Sequence, residues 1–220
     1  MIKNLLFDLD GTLTDPTIGI VNAIEYSLKK FGITNYNPEI LKEFVGPPLK
    51  ESYEKYFNIT GDDFINIREF EREYYRTIGI NENTIYENTY STLETLYNKG
   101  YNLYIVTSKK EEFTNIVLDN FNIKKFFKFI SASNDSLNIT TKDEVIKYLI
   151  DKTNIDITKS IVIGDRIYDI EAAKNNNIKS IGVLYGAGSR NEIINSKPDY
   201  IINDIKEIID ILWQAIVKEF

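Results

Sequence analysis

The chain contains neither cysteine nor histidine among its 220 residues. The lack of cysteine excludes disulfide bonds, a thiolate nucleophile and zinc sites built on thiolates. The lack of histidine removes the most common general base and metal ligand of proteins. Any acid–base or metal chemistry must therefore use carboxylates, lysines, tyrosines or hydroxyl groups.

Positive charge and long apolar runs are also scarce. The 26 basic residues are scattered among 33 acidic ones, the net charge is −7, and this argues against a nucleic-acid-binding surface. No apolar run approaches ~18 residues, so we expect no membrane span. Met1 leads directly into the first predicted strand, which leaves no space for a signal peptide. We therefore expect a cytoplasmic protein that binds neither nucleic acid nor membranes.

The most informative segment that is present reads FDLDGTLTD and spans residues 7–15. It follows an apolar run that is short enough for a buried strand. Residues i and i+2 of an extended chain point the same way, so Asp8 and Asp10 project toward one spot beyond the end of that strand. Open α/β sheets bind their ligands at this edge, and Gly11 then allows a tight turn.

Two clustered carboxylates repel each other and need compensation. A raised pKa or a nearby cation can supply it, and a hard divalent ion with oxygen ligands is the obvious candidate. The alternative is a capped β-turn whose acidic side chains are simply solvated.

The hydrophobic periodicity divides the chain into two parts. From Asp15 to about residue 81 the pattern is helical throughout, with breaks at Gly32 and at Gly46-Pro47-Pro48. From about residue 82 predicted strands alternate with predicted helices, a pattern typical of a parallel sheet covered on both faces. We predict an α/β fold: a doubly wound, Rossmann-like core of residues 1–14 and 82–220, with a helical insertion at 15–81.

Two further segments place polar side chains at element ends. Residues 105–109, IVTSK, form an apolar strand that ends in Thr107 and Ser108. Hydroxyls and backbone N–H groups at such an end can hold an oxyanion, although an ordinary helix N-cap is the simpler alternative. Lys142 opens a helix, where the helix dipole disfavours a cation. It suits that position if it faces a phosphate or Asp8, and otherwise it is a solvated surface lysine.

The second strong motif spans residues 160–169, SIVIGDRIYD. A β-branched strand again ends in an acid, Asp165, and Asp169 follows four residues later. The two fall on one face if a helical turn begins there. The alternative is a strand–Gly–N-cap connection with a surface aspartate.

These four motifs together resemble those of the haloacid dehalogenase-like hydrolases, most of which are Mg²⁺-dependent phosphatases that pass through an aspartyl-phosphate. The string from Asp8 to Asp15 is similar to the first motif, Thr107 to the second, Lys142 to the third, and the Gly164-Asp165 pair with Asp169 to the fourth. They occur in the family's order, each at the end of a predicted strand or the start of a helix.

The resemblance implies a role for each matched residue. Asp8 would be the nucleophile, and Asp10 the general acid and base, bound to the metal only through its backbone carbonyl. Thr107, Ser108, Lys142 and the backbone around Leu9 would hold the phosphoryl group. The implied cofactor is Mg²⁺, with its ligands drawn from Asp8, Asp10, Asp165 and Asp169.

The insertion between the first two motifs is similar to the helical cap of type C1, which would close over the site and set specificity. The loop with Gly46 and Lys50 resembles a substrate-contacting cap loop, although a plain helix connection is equally compatible. The resemblance points to the phosphoglycolate-phosphatase-like and 5′-nucleotidase-like branch, and hence to a small-molecule phosphate ester as the partner. We expect a monomer or weak dimer.

Three rival functions remain open at this point. A sugar phosphomutase can use the same scaffold. A receiver-type phospho-acceptor module is also parallel α/β with an aspartate cluster, but it has no use for the inserted helices or for Asp10. A catalytically silent binding protein would not need the complete set of acids.

Overall fold

The alternation of strands and helices produces a parallel sheet in this computed structural model, which describes residues 1–45 and 48–217, with side chains through 213. The sheet contains β1 (Asn4–Phe7), β4 (Asn102–Lys110), β5 (Phe127–Ser133), β6 (Ser160–Gly164), β7 (Lys179–Val183) and β8 (Tyr200–Ile202). Its spatial order is β5-β4-β1-β6-β7-β8. The order reverses on either side of β1, as in doubly wound sheets. The predicted fold class is confirmed.

The central strands are buried because helices cover both faces of a parallel sheet. Every residue of β1 and β6 is buried. Leu6, Val106 and Val162 pack with Val145 and Ile146 in one core cluster. The helices of this unit are α4 (Thr89–Asn98), α5 (Glu111–Asn120), α6 (Lys142–Thr153), α7 (Ile167–Asn175), α8 (Arg190–Ser196) and α9 (Glu207–Val217).

The strand register brings the ends of three strands side by side. Phe7 in β1 pairs with Ile105 in β4 on one side and with Ile163 in β6 on the other. The residues that follow these positions therefore leave the same edge of the sheet together. This edge carries the first, second and fourth motifs.

A second compact unit, Asp15–Thr84, is helical. It contains α1 (Thr17–Lys30), a 3₁₀ segment (Pro38–Phe44), α2 (Leu49–Phe57) and α3 (Gly61–Thr77). Its core comprises Ile24, Leu28, Phe44, Tyr53 and Ile67. The phenol of Tyr53 and the hydroxyl of Ser27 share a hydrogen bond of 2.7 Å.

The chain enters the second unit after Thr14 and leaves it after Thr84. At these crossings lie the two-residue strands β2 (Thr14–Asp15) and β3 (Thr84–Ile85), which form a small sheet. Strands this short carry no periodicity, and the sequence did not indicate them. The insertion at 15–81 stays a prediction about domains, because compactness does not show that the segment folds as a domain.

None of the helices in the described part of the chain combines the length and the apolar character needed to span a membrane.

Candidate active site

The first motif leaves β1 in a tight turn. The Asp8 amide donates to the Ile163 carbonyl at 2.9 Å, which continues the pairing with β6. Gly11 has a φ of +83°, in the region that glycine tolerates best, and its amide donates to the Thr14 carbonyl at 2.7 Å. The side chain of Leu9 is fully buried. Its predicted contact with phosphate therefore rests on its backbone alone and stays a prediction.

Lys142 lies at the centre of the site. Its ammonium is 2.6 Å from Asp8 Oδ1 and 2.8 Å from Asp169 Oδ1, and it donates to the Val106 carbonyl at 3.0 Å. Burial disfavours the ammonium, but Asp169 and Asp8 outweigh burial and raise the pKa of Lys142 above its ordinary value. Lys142 therefore stays positively charged and neutralises part of the acidic cluster.

A capping box places Lys142 at the first position of α6. The Thr141 hydroxyl accepts from the Glu144 amide, and the Glu144 carboxylate accepts from the Thr141 amide at 2.9 Å. Both unpaired amides are thereby satisfied at the point where the helix starts. The Lys142 ammonium belongs to the N-terminal turn of α6, where the helix dipole disfavours a cation. The ion pairs with Asp8 and Asp169 offset this unfavourable interaction.

Asp165 and Asp169 follow β6 and open α7. Both are buried, and Asp169 Oδ2 accepts from the Arg166 amide at 3.0 Å. Burial first, and then the charges of Asp169 and Asp8, raise the pKa of Asp165 to about 7. Burial also raises the pKa of Asp169 to about 6, although Lys142 opposes this rise.

Asp8, Asp165 and Asp169 can together hold a metal ion. One carboxylate oxygen from each lies within 4.8 Å of the others. Three buried carboxylates face one lysine, so the group has an excess of negative charge when ionised. All the donors are oxygens, which hard divalent ions such as Mg²⁺ prefer. The residues therefore fit a divalent cation, and the side chain of Asp10 lies outside this group.

A loop after β7 supports Asp165, and the sequence analysis missed it. The amides of Ala187 and Gly188 donate to Asp165 Oδ2 at 2.8 and 3.4 Å, while the Thr12 hydroxyl donates to Oδ1 at 3.2 Å. A Cβ at Gly188 would overlap the Asp165 carbonyl oxygen. The string Gly186-Ala187-Gly188 after a predicted strand was the available signal, since glycines allow a close backbone approach.

The structure also pairs Asp10 with a residue to which we had given no role. Lys109 Nζ lies 2.7 Å from Asp10 Oδ2, and the lysine side chain is 7% exposed. Thr107 is buried at the end of β4, and its hydroxyl accepts from the Lys109 amide at 3.2 Å. Ser108 is exposed. Thr107 and Ser108 thus lie on the strand beside β1, and their phosphate-binding role stays a prediction.

The structure tests neither of the two substrate contacts predicted in the insertion. Gly46 lies outside the described residues. Lys50 is exposed in the first turn of α2. Both roles stay predictions.

Known proteins resemble this chain over most of its length. A family model described as haloacid dehalogenase-like hydrolase matches residues 5–183. A 5′-nucleotidase from Pseudomonas aeruginosa is 32% identical over 209 residues, which are 95% of each chain. A pyrophosphatase, PpaX, from Oceanobacillus iheyensis is 32% identical, with 97% of this chain and 98% of the relative covered.

Two further matches bear on the fold and the branch. A phosphoglycolate phosphatase from Vibrio parahaemolyticus is 25% identical, with 96% of each chain covered. A crystal structure of a Clostridium difficile protein, classed provisionally as a phosphatase, superposes with a TM-score of 0.89 and is 44% identical. That match covers 96% of this chain and 98% of the other.

Proposed function

The chain belongs to the haloacid dehalogenase-like hydrolases, and from that premise we propose that it is a Mg²⁺-dependent phosphatase that hydrolyses a small phosphate monoester through an aspartyl-phosphate. The names of the relatives support phosphatase activity. The proposal adds the metal, the covalent intermediate and the substrate class.

One observation carries the proposal. Lys142 bridges Asp8 and Asp169 at 2.6 and 2.8 Å, while Asp165 completes a triad of buried carboxylates. A site with three buried acids and one cation is short of positive charge. A divalent ion would fit this site because it supplies the missing charge, and Lys142 would then meet the oxygens of a phosphoryl group.

In the first step Asp8 acts as the nucleophile. A carboxylate oxygen of Asp8 forms a bond to phosphorus as the bond from phosphorus to the ester oxygen breaks. Asp10 gives its proton to the departing oxygen as general acid. Thr107, Ser108 and Lys142 hold the equatorial oxygens, whose charge Lys142 offsets.

In the second step the aspartyl-phosphate is hydrolysed. Asp10, now ionised, takes a proton from water as that water attacks phosphorus, and the bond between phosphorus and Asp8 breaks. Inorganic phosphate leaves, and both aspartates return to their starting states. Bound to Asp8, Asp165, Asp169 and the Asp10 carbonyl, Mg²⁺ would supply charge neutralisation and orientation of the phosphoryl group.

We assign the substrate to the class of small, anionic phosphate monoesters. The relatives named 5′-nucleotidase and phosphoglycolate phosphatase support this class. The relative named pyrophosphatase adds pyrophosphate as a compound to assay. The helical unit Asp15–Thr84, with Lys50 on its surface, is the part that we expect to select among these compounds.

The test is phosphate release from a panel of nucleoside monophosphates, phosphoglycolate, sugar phosphates, pyrophosphate and an aryl phosphate. We expect Mg²⁺ to support turnover and Ca²⁺ to support it poorly, since Ca²⁺ favours looser and higher coordination. Asp8→Asn should remain folded and lose turnover. Undiminished turnover in excess chelator would rule out the metal, and turnover of Asp8→Asn within tenfold of wild type would place the nucleophile elsewhere.

The same panel distinguishes a phosphatase from a sugar phosphomutase, the rival that can use the same scaffold. A sugar phosphomutase would isomerise a sugar phosphate in the presence of a bisphosphate activator and would release little phosphate. Net isomerisation without phosphate release would therefore replace the phosphatase assignment with a mutase.

A further inference from the structure

Asp10 and Lys109 form an ion pair that the fold brings together from distant parts of the chain. Asp10 follows β1, Lys109 lies near the end of β4, and 99 residues separate them in sequence. Lys109 Nζ donates to Asp10 Oδ2 at 2.7 Å, and the lysine side chain is only 7% exposed while that of Asp10 is 29% exposed. A lysine so buried is rare unless it is paired with an acid.

An irregularity in β4 accompanies this pair. Thr107 pairs with Ala132 of β5, whereas the next paired residue, Lys110, opposes Ser133. Ser108 and Lys109 are thus extra residues on β4 at this point. Bulges of this kind redirect side chains at sheet ends, often next to active sites. The Lys109 amide also donates to the Thr107 hydroxyl at 3.2 Å, which ties the irregular segment to the strand end.

The two oxygens of Asp10 have different surroundings. Oδ2 accepts from Lys109, whereas Oδ1 is buried and has no hydrogen-bond partner within the part of the chain that the structure describes. Buried polar atoms without partners are uncommon, and a catalytic role is one of the recognised explanations. The χ2 torsion of aspartate is broad and roughly two-fold, so the oxygens are interchangeable unless a contact selects one.

We propose that Lys109 is a positioning residue that holds Asp10 by Oδ2 and thereby presents Oδ1 for proton transfer. This inference rests on the proposed function, because it takes Asp10 as the general acid and base. Oδ1 is the oxygen that gives its proton to the leaving group and later receives one from the attacking water. The lysine does not touch the reacting atoms, and its contribution is the orientation of the carboxylate.

The test is a double-mutant cycle on the breakdown of the phosphoenzyme, with Lys109→Met and Asp10→Asn. An activated aryl phosphate, whose leaving group needs little acid, loads the enzyme in a burst, and the decay of covalent phosphate is then followed. We expect Asp10→Asn to slow the decay by ~10²–10⁴-fold. Lys109→Met should slow it by roughly 10–100-fold, because misplaced catalytic groups cost about that much, while the burst rate changes by less than about threefold.

The double variant distinguishes positioning from an independent role. If Lys109 acts through Asp10, adding Lys109→Met to Asp10→Asn should leave the decay rate unchanged within about threefold. Lys109→Arg keeps a hydrogen-bond donor, so its decay rate should lie between those of wild type and Lys109→Met. Lys124→Met is the matched control, since it removes a 3.1 Å pair with Asp119 on the surface and should leave the decay rate unchanged.

Thermal unfolding of each variant checks that the fold persists, and Lys109→Arg serves for the cycle if Lys109→Met does not fold. Two results would overturn the role of Lys109 and leave the proposed function standing. In one, the decreases in decay rate multiply in the double variant. In the other, Lys109→Met decays at the wild-type rate. If Asp10→Asn, in which breakdown is slowed, accumulates no covalent phosphate from the aryl phosphate, the proposed covalent mechanism is overturned and the role of Lys109 with it.

Discussion

At the scale of single residues, the site is governed by an imbalance of charge. Asp8, Asp165 and Asp169 are buried together with one cation, Lys142. Burial and the neighbouring acids favour the protonated carboxyls of Asp165 and Asp169. Either protons or a divalent cation can therefore neutralise the same cluster. Because protonation of the cluster changes with pH, the stability of the metal-free protein should change with pH as well.

We predict that the metal-free protein loses part of its stability as pH rises from about 4 to about 7. In the folded state the pKa of Asp165 is raised from 3.8 to about 7 and that of Asp169 to about 6, mainly by burial. In this window the folded protein binds more protons than the unfolded chain, so the contribution of these groups decreases with increasing pH. The measurement is the melting temperature in chelator at pH 4.5 and pH 8.

Asp165→Asn provides the reference, because its side chain is neutral at both pH values. In chelator we subtract the melting temperature of wild type from that of Asp165→Asn. This difference should be more positive at pH 8 than at pH 4.5. Mg²⁺ should raise the melting temperature of wild type more at pH 8, since its ligands must be deprotonated to bind it. An equal effect of Mg²⁺ at both pH values would contradict the linkage.

At the scale of elements, the start of α6 decides where Lys142 lies. The Thr141 hydroxyl caps the Glu144 amide at 3.3 Å and the Glu144 carboxylate returns the contact. The cap fixes the first helical residue, and that residue is the lysine that bridges the acids. A change in the cap therefore acts on both the helix and the site.

We predict that Thr141→Ala lowers the free energy of unfolding by about 1 kcal/mol, the usual effect of losing an N-cap side chain. Denaturation in urea measures it. Thr153→Ala is the control in the same helix, because its hydroxyl only donates back to the Leu149 carbonyl. Its effect should stay within about 0.5 kcal/mol. A similar loss for both variants would show that the cap does not hold the helix start.

The loop between β7 and α8 is the second element that shapes the site. We predict that Gly188→Ala destabilises the protein by about 1–3 kcal/mol, because the added Cβ overlaps the Asp165 carbonyl oxygen and over-packed sites cost that much. It should also weaken Mg²⁺ binding by roughly 10–100-fold, since the amides that orient Asp165 must move. Urea denaturation and calorimetric titration of Mg²⁺ measure the two effects.

Ser189→Ala is the matched control on the same loop. Ser189 accepts from the Glu192 amide at 3.1 Å and caps α8, so its loss should cost about 1 kcal/mol of stability. The Asp165 contacts remain, and Mg²⁺ affinity should be unchanged. Equal weakening of Mg²⁺ binding in both variants would mean that affinity follows stability and not the orientation of Asp165.

At the scale of the whole molecule, the proposed catalytic residues lie in one compact unit, and Lys50, to which we assign a role in substrate selection, lies in the other. The acids and Lys142 all belong to the unit built on the sheet. The helical unit contributes exposed cations such as Lys50 in α2. Chemistry and specificity are therefore expected to respond to different substitutions.

We predict that Lys50→Ala changes kcat/KM for nucleoside monophosphates and phosphoglycolate more than for an unselective aryl phosphate. The reason is that the Lys50 cation would favour an anionic leaving group, and the variant lacks this cation. The site that holds the phosphoryl group stays intact in the variant. Lys55→Ala is the control on the same helix, where Lys55 contacts the Tyr56 phenol at 2.8 Å. Identical substrate profiles for wild type and Lys50→Ala would remove Lys50 from substrate recognition.

Features that depend on local spacing could be predicted from the amino-acid sequence. Asp8 and Asp10, two residues apart after an apolar strand, predicted a ligand edge, which stays a prediction, and the change of periodicity after Asp15 predicted the helices α1 to α3 that follow. Strand–helix alternation then predicted the parallel sheet, and the β-branched run before Asp165 predicted the strand β6 (Ser160–Gly164). Local patterns suffice for these features because strand and helix periods depend on neighbouring residues.

Contacts between distant side chains became visible only in the folded chain. The pairing of Lys109 with Asp10, the amides of Ala187 and Gly188 on Asp165, and the position of Lys142 between Asp8 and Asp169 all join separate elements. No periodicity encodes such contacts, since they depend on strand order, on a two-residue irregularity in β4 and on where a loop returns to the sheet edge. Burial, which raises the pKa of Asp165, likewise arises only when the elements pack together.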